Sequence, residues 1–473
     1  MAPTYGVAPS NNDNDHTSPE SAAESSALLG GGRDTSMKRV SKPDGNATLA
    51  SSISNLTNTI IGSGMLTFPL AMAAAGIIPG MITCIFSGCC AAFGLHLLSL
   101  CARQTSHRRS SFFAVAQLTF PRAAVFFDLA IATKCFGVSI SYLIIIKGLA
   151  PNVVASLYHD LSTKEPPAWT TSGRIWIALF MIILAPLGFL RQLNSLRHTS
   201  YVSLFSVAYL VVIVIRCYFW PLKDMPEPGE IHLIHFTPSF VSTFPIQVFA
   251  FTCAQNLFPI FNEVQNNSQK RMNLVVTSSI GTAALTYEVI AIFGYLTFGS
   301  KVGANIIAMY PSTSLFVAVG QLAILILVLF SYPLQVHPCR NCLDKVFHFG
   351  SSTPKVMASG DEDVEDVDHA SSEMSTLKHT LLSLVIIAST FTIAYLVDDL
   401  QMVLSFVGST GSTTISFILP GLFYWKLTRN DPRVKVKNWA ALALAVYGVC
   451  VFIFCLGFNI YQVTHPSTGG PAH

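Results

Sequence analysis

Two stretches of this sequence combine residue types that seldom share a membrane-length apolar run. The first reads Asn55-Leu-Thr-Asn58-Thr-Ile-Ile-Gly62-Ser63-Gly64-Met65-Leu-Thr67-Phe-Pro69, with two glycines and a proline at its middle. The second reads Pro245-Ile-Gln247-Val-Phe-Ala-Phe251-Thr252-Cys253-Ala254-Gln255-Asn256-Leu-Phe-Pro259 and carries two prolines around a polar cluster. Glycine is a poor helix former and proline removes a backbone donor, so both stretches predict helices interrupted at mid-run. Unwound backbone at membrane depth survives only where it is buried in protein or lines a cavity. The alternative for the first, a small-residue helix contact, needs glycines four apart, and Gly62-x-Gly64 has the wrong spacing. Freed amides at a half-helix start attract a carboxylate, and freed carbonyls at a half-helix end attract an ammonium. The chemistry that fits is the binding of an amino acid.

Composition dictates the elements that must hold these stretches. Hydrophobic residues are 51% of 473 and charged residues 11%, with a mean hydropathy of +0.52. A soluble domain averages about 25% charged, so the class is an all-α polytopic membrane protein. The net charge of +3 gives no argument for nucleic acid. Apolar runs near the length of a bilayer-crossing helix predict spans at 49–75, 77–101, 122–150, 172–190, 199–220, 239–262, 273–298, 312–336, 378–397, 400–425 and 438–462. The interrupted stretches are then the first and sixth of eleven, five apart. Matched interruptions in corresponding halves point to a midplane site between inverted repeats.

Lys and Arg orient the spans. With the N-terminus cytosolic, 21 of the 28 fall on the cytosolic side, 4 on the other, and Lys134, Lys147 and Arg216 within apolar runs. Residues 1–47 form a polar cytosolic tail with the composition of disorder, ahead of the eleven-helix region 48–462. Residues 351–377 form an acidic cytosolic insert, and 463–473 a short non-cytosolic tail. Within the N-terminal tail, Glu24, Leu28 and Leu29 fit an acidic dileucine sorting motif that a sorting adaptor would read; chance occurrence is the alternative. Cys339-x-x-Cys342 beside His337 has no second ligand pair, so reduced cysteines are expected and no metal.

Ionisable groups at membrane depth are costly and usually functional. Lys147 and Arg216 are expected to snorkel from span ends, and Asp128 lies one turn inside its span. Lys134 is deeper, suited to an ion pair or to a substrate or coupling role. Glu288 is mid-helix in the seventh span, either a proton carrier or a hydrogen-bonded structural group. His96 is expected to be packed and hydrogen-bonded.

Several segments resemble one family: Asn58-Thr-Ile-Ile-Gly-Ser-Gly-Met-Leu66, Val248-Phe-Ala-Phe-Thr-Cys253, Phe261-Asn-Glu-Val264, Gly294-Tyr-Leu-Thr-Phe-Gly299 and Ser416-Phe-Ile-Leu-Pro-Gly-Leu-Phe-Tyr424. They resemble, in order, the amino acid/auxin permease family of the amino acid–polyamine–cation superfamily. Within it the resemblance is strongest to fungal vacuolar amino-acid transporters, with sodium-coupled neutral amino-acid transporters as relatives. It implies a LeuT-type fold of two inverted five-helix repeats plus an eleventh transmembrane helix. It implies that the backbone of Gly62, Ser63, Gly64 and Met65 and of Phe251, Thr252 and Cys253 holds the substrate. It also implies Asn58 and Ser331 as ion ligands, although Ser stands at 331 where those relatives carry Thr. The expected function is secondary active transport of small amino acids at the vacuolar membrane, with the C-terminus lumenal. The proton is the expected coupling ion, and no cofactor is expected. Sodium-coupled uptake at the plasma membrane and a non-transporting sensor are the alternatives. No nucleophile elbow, phosphate loop or zinc motif argues for an enzyme. Replacing Leu28 and Leu29 with Ala should move a fluorescently tagged protein to a different membrane; an unchanged location would make the motif accidental.

Overall fold

The computed structural model describes residues 45–105, 108, 110–121, 124–161, 167–191, 199–348 and 375–465. Glu24, Leu28 and Leu29, residues 351–374 of the acidic insert and the C-terminal residues 466–473 lie outside that set. Among the described residues there is no strand beyond one isolated bridge, Ala47 to Val264. Among the described residues nine helices are long and apolar enough to cross a membrane, ten with one bent pair counted as a single span. The chain is a multi-pass membrane protein.

The bent pair is the first predicted interruption. Helix α1 (Leu49–Ile60) is N-capped by Thr48, whose hydroxyl accepts from the Ser51 amide at 3.2 Å. A 3-10 turn over Ser63–Thr67 leads into α2 (Phe68–Ala75), with Pro69 in its first turn, where a missing amide costs nothing. The two halves meet at 46°. The sixth span breaks likewise into α8 (Phe240–Ala250) and α9 (Ala254–Glu263).

The unbroken spans are α3 (Ile77–Ala102), α5 (Ala124–Leu161), α7 (Thr199–Phe219), α10 (Gln269–Phe298), α11 (Leu315–His348), α12 (Thr376–Leu396) and α15 (Lys435–Thr464), and short α4 (Phe112–Thr119) precedes α5. Helix α6 (Gly173–Gly188) stands where the fourth span was expected. Its 16 residues rise about 24 Å, short of the roughly 30 Å hydrocarbon core, so a count of eleven spans depends on this short helix. The tenth span, expected to be continuous, divides into α13 (Leu400–Val407), two π-helical turns over Gly408–Ser412 and Thr414–Ile418, and α14 (Leu419–Thr428).

The loop between α7 and α8 is stitched over the far ends of α2, α3 and α10. His235 and Thr237 amides donate to Ala75 and Ala74 carbonyls, and Gly229 donates to Phe298. Two glycines permit this: Gly76 at φ +89° and Gly299 at φ +60°, where an added Cβ would meet the loop backbone.

One expectation is overturned. Lys147 does not snorkel, because α5 continues through Pro151 to Leu161 and leaves it well inside the helix, 7% exposed. Its ammonium donates to the Ala394 and Val397 carbonyls at 2.7 and 2.9 Å and pairs with Asp398 at 2.6 Å. It therefore caps the carbonyl end of α12, where a cation is favoured by the helix dipole. Arg216 does sit at a helix end, with its guanidinium 5.2 Å from the Trp220 ring centroid. His96 lies in a network with Asn273 (2.8 Å), which Gln269 also joins. Lys147→Met should lower stability by about 2 kcal/mol, the worth of a charged hydrogen bond whose buried acceptors are left unmet. Thermal unfolding in detergent would read it; an unchanged midpoint would deny the cap its structural role.

Candidate substrate site

The two breaks face each other. Past Ile60 the chain leaves helical geometry, with Ile61 at ψ 94° and Gly62 extended at φ −137°. Past Ala250 it does so at Phe251, Thr252 and Cys253 before α9 begins. Each break leaves helix-end carbonyls that need a donor. Tyr287 of α10 meets one from each side: its hydroxyl lies 2.7 Å from the Ile60 carbonyl and 3.0 Å from the Ala250 carbonyl. The ring is fully buried, stacked on Phe68 at 4.5 Å and edge-on to Phe251 at 5.2 Å. A second tie joins α9 to α1, where the Asn256 amide donates to the Thr59 hydroxyl at 2.7 Å.

Beside the breaks lies a cavity of about 450 Å³, within the roughly 300–1,000 Å³ typical of small-molecule sites. Of the residues singled out in the sequence, Gly62, Ser63, Gly64, Thr252, Asn58, Ser331 and Lys134 line it. Met65, Phe251 and Cys253 are buried in the surrounding core and do not line it. Glu288 is also outside the lining; both of its carboxyl oxygens are buried, beside the Cys84 thiol and without a charged partner. The Ser63 hydroxyl is likewise buried without a partner, on the cavity wall. Ser331 donates to the Leu327 carbonyl at 2.7 Å, leaving its lone pairs available to the cavity.

The two glycines of the first break differ in what surrounds them. A Cβ on Gly62 would meet only the Ile60 carbonyl at 3.9 Å, so that position faces free space. A Cβ on Gly64 would fall 2.8 Å from the Ala250 Cβ and 3.0 Å from its Cα. Gly64 thus allows the two broken spans to touch, while Gly62 keeps the cavity open.

Sequence reasoning missed several lining residues. Tyr142, about two turns along α5 from Lys134, lines the cavity, as does Gln335; Gln255 and Asn256, seen in the sequence only as part of a polar cluster, line it as well. The break-spanning Tyr287 was missed too. No pattern marks a tyrosine in an apolar helix as the partner of two distant carbonyls. The π-helical turns were missed although their glycines were visible. Gly408 packs on Pro245, Gly411 packs on Ala130 and Lys134, and Ser416 reaches the Thr252 hydroxyl at 3.2 Å. π-turns inside helices are frequent at functional sites.

Two outcomes follow for variants. Tyr287→Phe should cost about 1–3 kcal/mol, because buried carbonyls lose their donor, and transport should fall with it; a wild-type melting midpoint would contradict the tie. Gly62→Ala should fold within about 0.5 kcal/mol of wild type, whereas Gly64→Val should cost about 1–3 kcal/mol through overpacking. Thermal unfolding of the pair reads the contrast, and equal midpoints would contradict it.

Known proteins share this architecture. The crystal structure of MhsT in complex with L-phenylalanine is similar with a TM-score of 0.52 at 12% identity, over 88% of this chain and all of that one. That likeness supports the LeuT-type fold. In sequence, the chain is 41% identical over 433 residues to Vacuolar amino acid transporter 5 of Schizosaccharomyces pombe, covering 89% of this chain and 96% of that one. It is 33% identical to Vacuolar amino acid transporter 6 of Saccharomyces cerevisiae, over 87% of this chain and 98% of that one. The family described as transmembrane amino acid transporter protein matches residues 45–465. A transporter rather than an enzyme, this chain belongs to the transmembrane amino acid transporter family.

Proposed function

We propose that this protein is a secondary active transporter moving small amino acids across the vacuolar membrane by alternating access, coupled to protons. The observation that carries the reading is the pair of facing helix breaks beside one polar cavity, with freed backbone groups of both signs. The substrate's carboxylate would take the amides at Ser63 and Gly64. Its ammonium would take carbonyls at the ends of α1 and α8. The vacuolar assignment rests on the names of its relatives.

The cavity's lining comes from α1 and its break, the end of α8 and its break, α9, α5, the start of α7 and the later part of α11, and none from α2 or α10. At the opposite end, the loop before α8 covers α2 and α3. With the N-terminus in the cytosol and the C-terminus in the lumen, this arrangement would be cytosol-facing. Transport then requires the mirror arrangement, with α1 and α9 closing on α11.

For coupling, Asn58 and Ser331 line the same cavity, which favours sodium as the second reading. The Lys134 ammonium lines it too, and a buried cation repels another in a low-dielectric space. That favours a proton, which needs a carrier rather than a coordination shell. Glu288 is the candidate: a buried carboxyl without a counter-charge is held most cheaply as the uncharged acid. The acidic dileucine Glu24, Leu28 and Leu29 would supply the address through a sorting adaptor. Purified protein in proteoliposomes should take up amino acids when a pH gradient is imposed and not in response to a sodium gradient alone. Glu288→Gln should flatten the pH dependence of that uptake. Uptake indifferent to pH would sink the proton reading, and an unaltered pH profile in the variant would leave Glu288 structural.

A further inference from the structure

Lys134 is 5% exposed and lies on the cavity wall at membrane depth. Its stem is pinned by the π-helical turn of the tenth span: a Cβ on Gly411 would lie 2.8 Å from the Lys134 Cβ and 2.9 Å from its amide nitrogen. Among the described residues its ammonium meets no acid and no hydrogen-bond acceptor. The contrast is Lys147 on the same helix, which is equally buried but has two carbonyls and Asp398. The other polar side chains on the cavity wall are hydroxyls, amides and a thiol, with no Asp, Glu, Arg or His among them. With Lys134 protonated, the cavity therefore carries one surplus positive charge.

A buried ammonium without a counter-charge is expensive, and removing or withholding the partner of a buried ion is strongly unfavourable. The backbone of an amino acid does not offset it. That backbone is a zwitterion with no net charge, and the two helix breaks already offer groups for both of its ends. What completes the balance is a second carboxylate on the substrate's side chain. We propose that Lys134 is a specificity-determining residue that selects amino acids with an anionic side chain, of the aspartate and glutamate type, through an ion pair formed only when substrate is bound. This inference rests on the transport reading above and deepens it. The cavity's size admits a side chain of two or three carbons beyond the backbone. Ser63, with its unpartnered hydroxyl on the same wall, can donate to the same substrate.

The test compares shape-matched pairs on full-length protein reconstituted in liposomes at about neutral pH, with radiolabelled glutamate and glutamine as probes in counterflow. Aspartate and asparagine serve as competitors. Glutamate should exchange at least about tenfold better than glutamine, the minimum expected of a charge-assisted contact. Lys134→Gln should close that gap by weakening glutamate more than glutamine, while Lys134→Arg should keep the order. If Lys134→Gln does not yield folded protein, the wild-type comparison still decides. Glutamine exchanging as well as glutamate in the wild type would overturn the role given to Lys134. So would equal loss of both probes in a folded Lys134→Gln protein, which would mean the lysine holds the shared α-carboxylate. Exchange of neither probe nor any other amino acid by the wild type would instead sink the transport reading itself.

Discussion

Everything in this molecule turns on a backbone constraint: polar peptide groups cannot be left unmet at membrane depth. A continuous helix meets that demand within itself. Two spans here do not, and each leaves free carbonyls and amides in the interior. The Tyr287 hydroxyl, set between the Ile60 and Ala250 carbonyls, draws both breaks to one point. Phe68 and Phe251 pack against its ring and keep water away. The groups left over face the cavity, where they are open to a ligand.

That arrangement also decides how charge can be used. The membrane tolerates a buried cation only with compensation. The two buried lysines of α5 divide over this point. Lys147 is compensated permanently, by the α12 carbonyls and Asp398, and so fastens one helix to another. Lys134 has no such partner and borders the space where a substrate would sit. Distance along one helix therefore separates a structural cation from one available to a ligand. The π-helical turns of the tenth span belong to the same design, since the wide turn brings glycine backbone at 408 and 411 against α8 and α5.

Much of this was legible in the residues. Apolar runs located the spans to within a few residues wherever a run ended on a polar stretch. They fell short for α5 and α11, which continue through Pro151 and Pro338 respectively. A proline weakens a helix but does not end one whose neighbours hold it, so packing prevailed over local propensity there. At the site, glycine and proline inside apolar sequence marked both breaks. Of the residues chosen there, those at 62–64 and Thr252 reach the cavity, and Met65, Phe251 and Cys253 turn into the core. Adjacent residues at a break point in different directions, and a linear pattern carries no direction.

The sequence by itself determined the class, the order of spans and the location of the breaks, because these follow from hydropathy and backbone propensity, which are local properties. Tertiary structure decided which side chains meet across those breaks. Tyr287 with two carbonyls from separate spans, Asn256 with Thr59, and Lys134 with open space are relations between residues far apart in the chain. Their energies depend on distance and on what else fills the volume. The scarcity of charge acquires its meaning only there: one lysine is neutralised by its neighbours, and the other borders an open cavity.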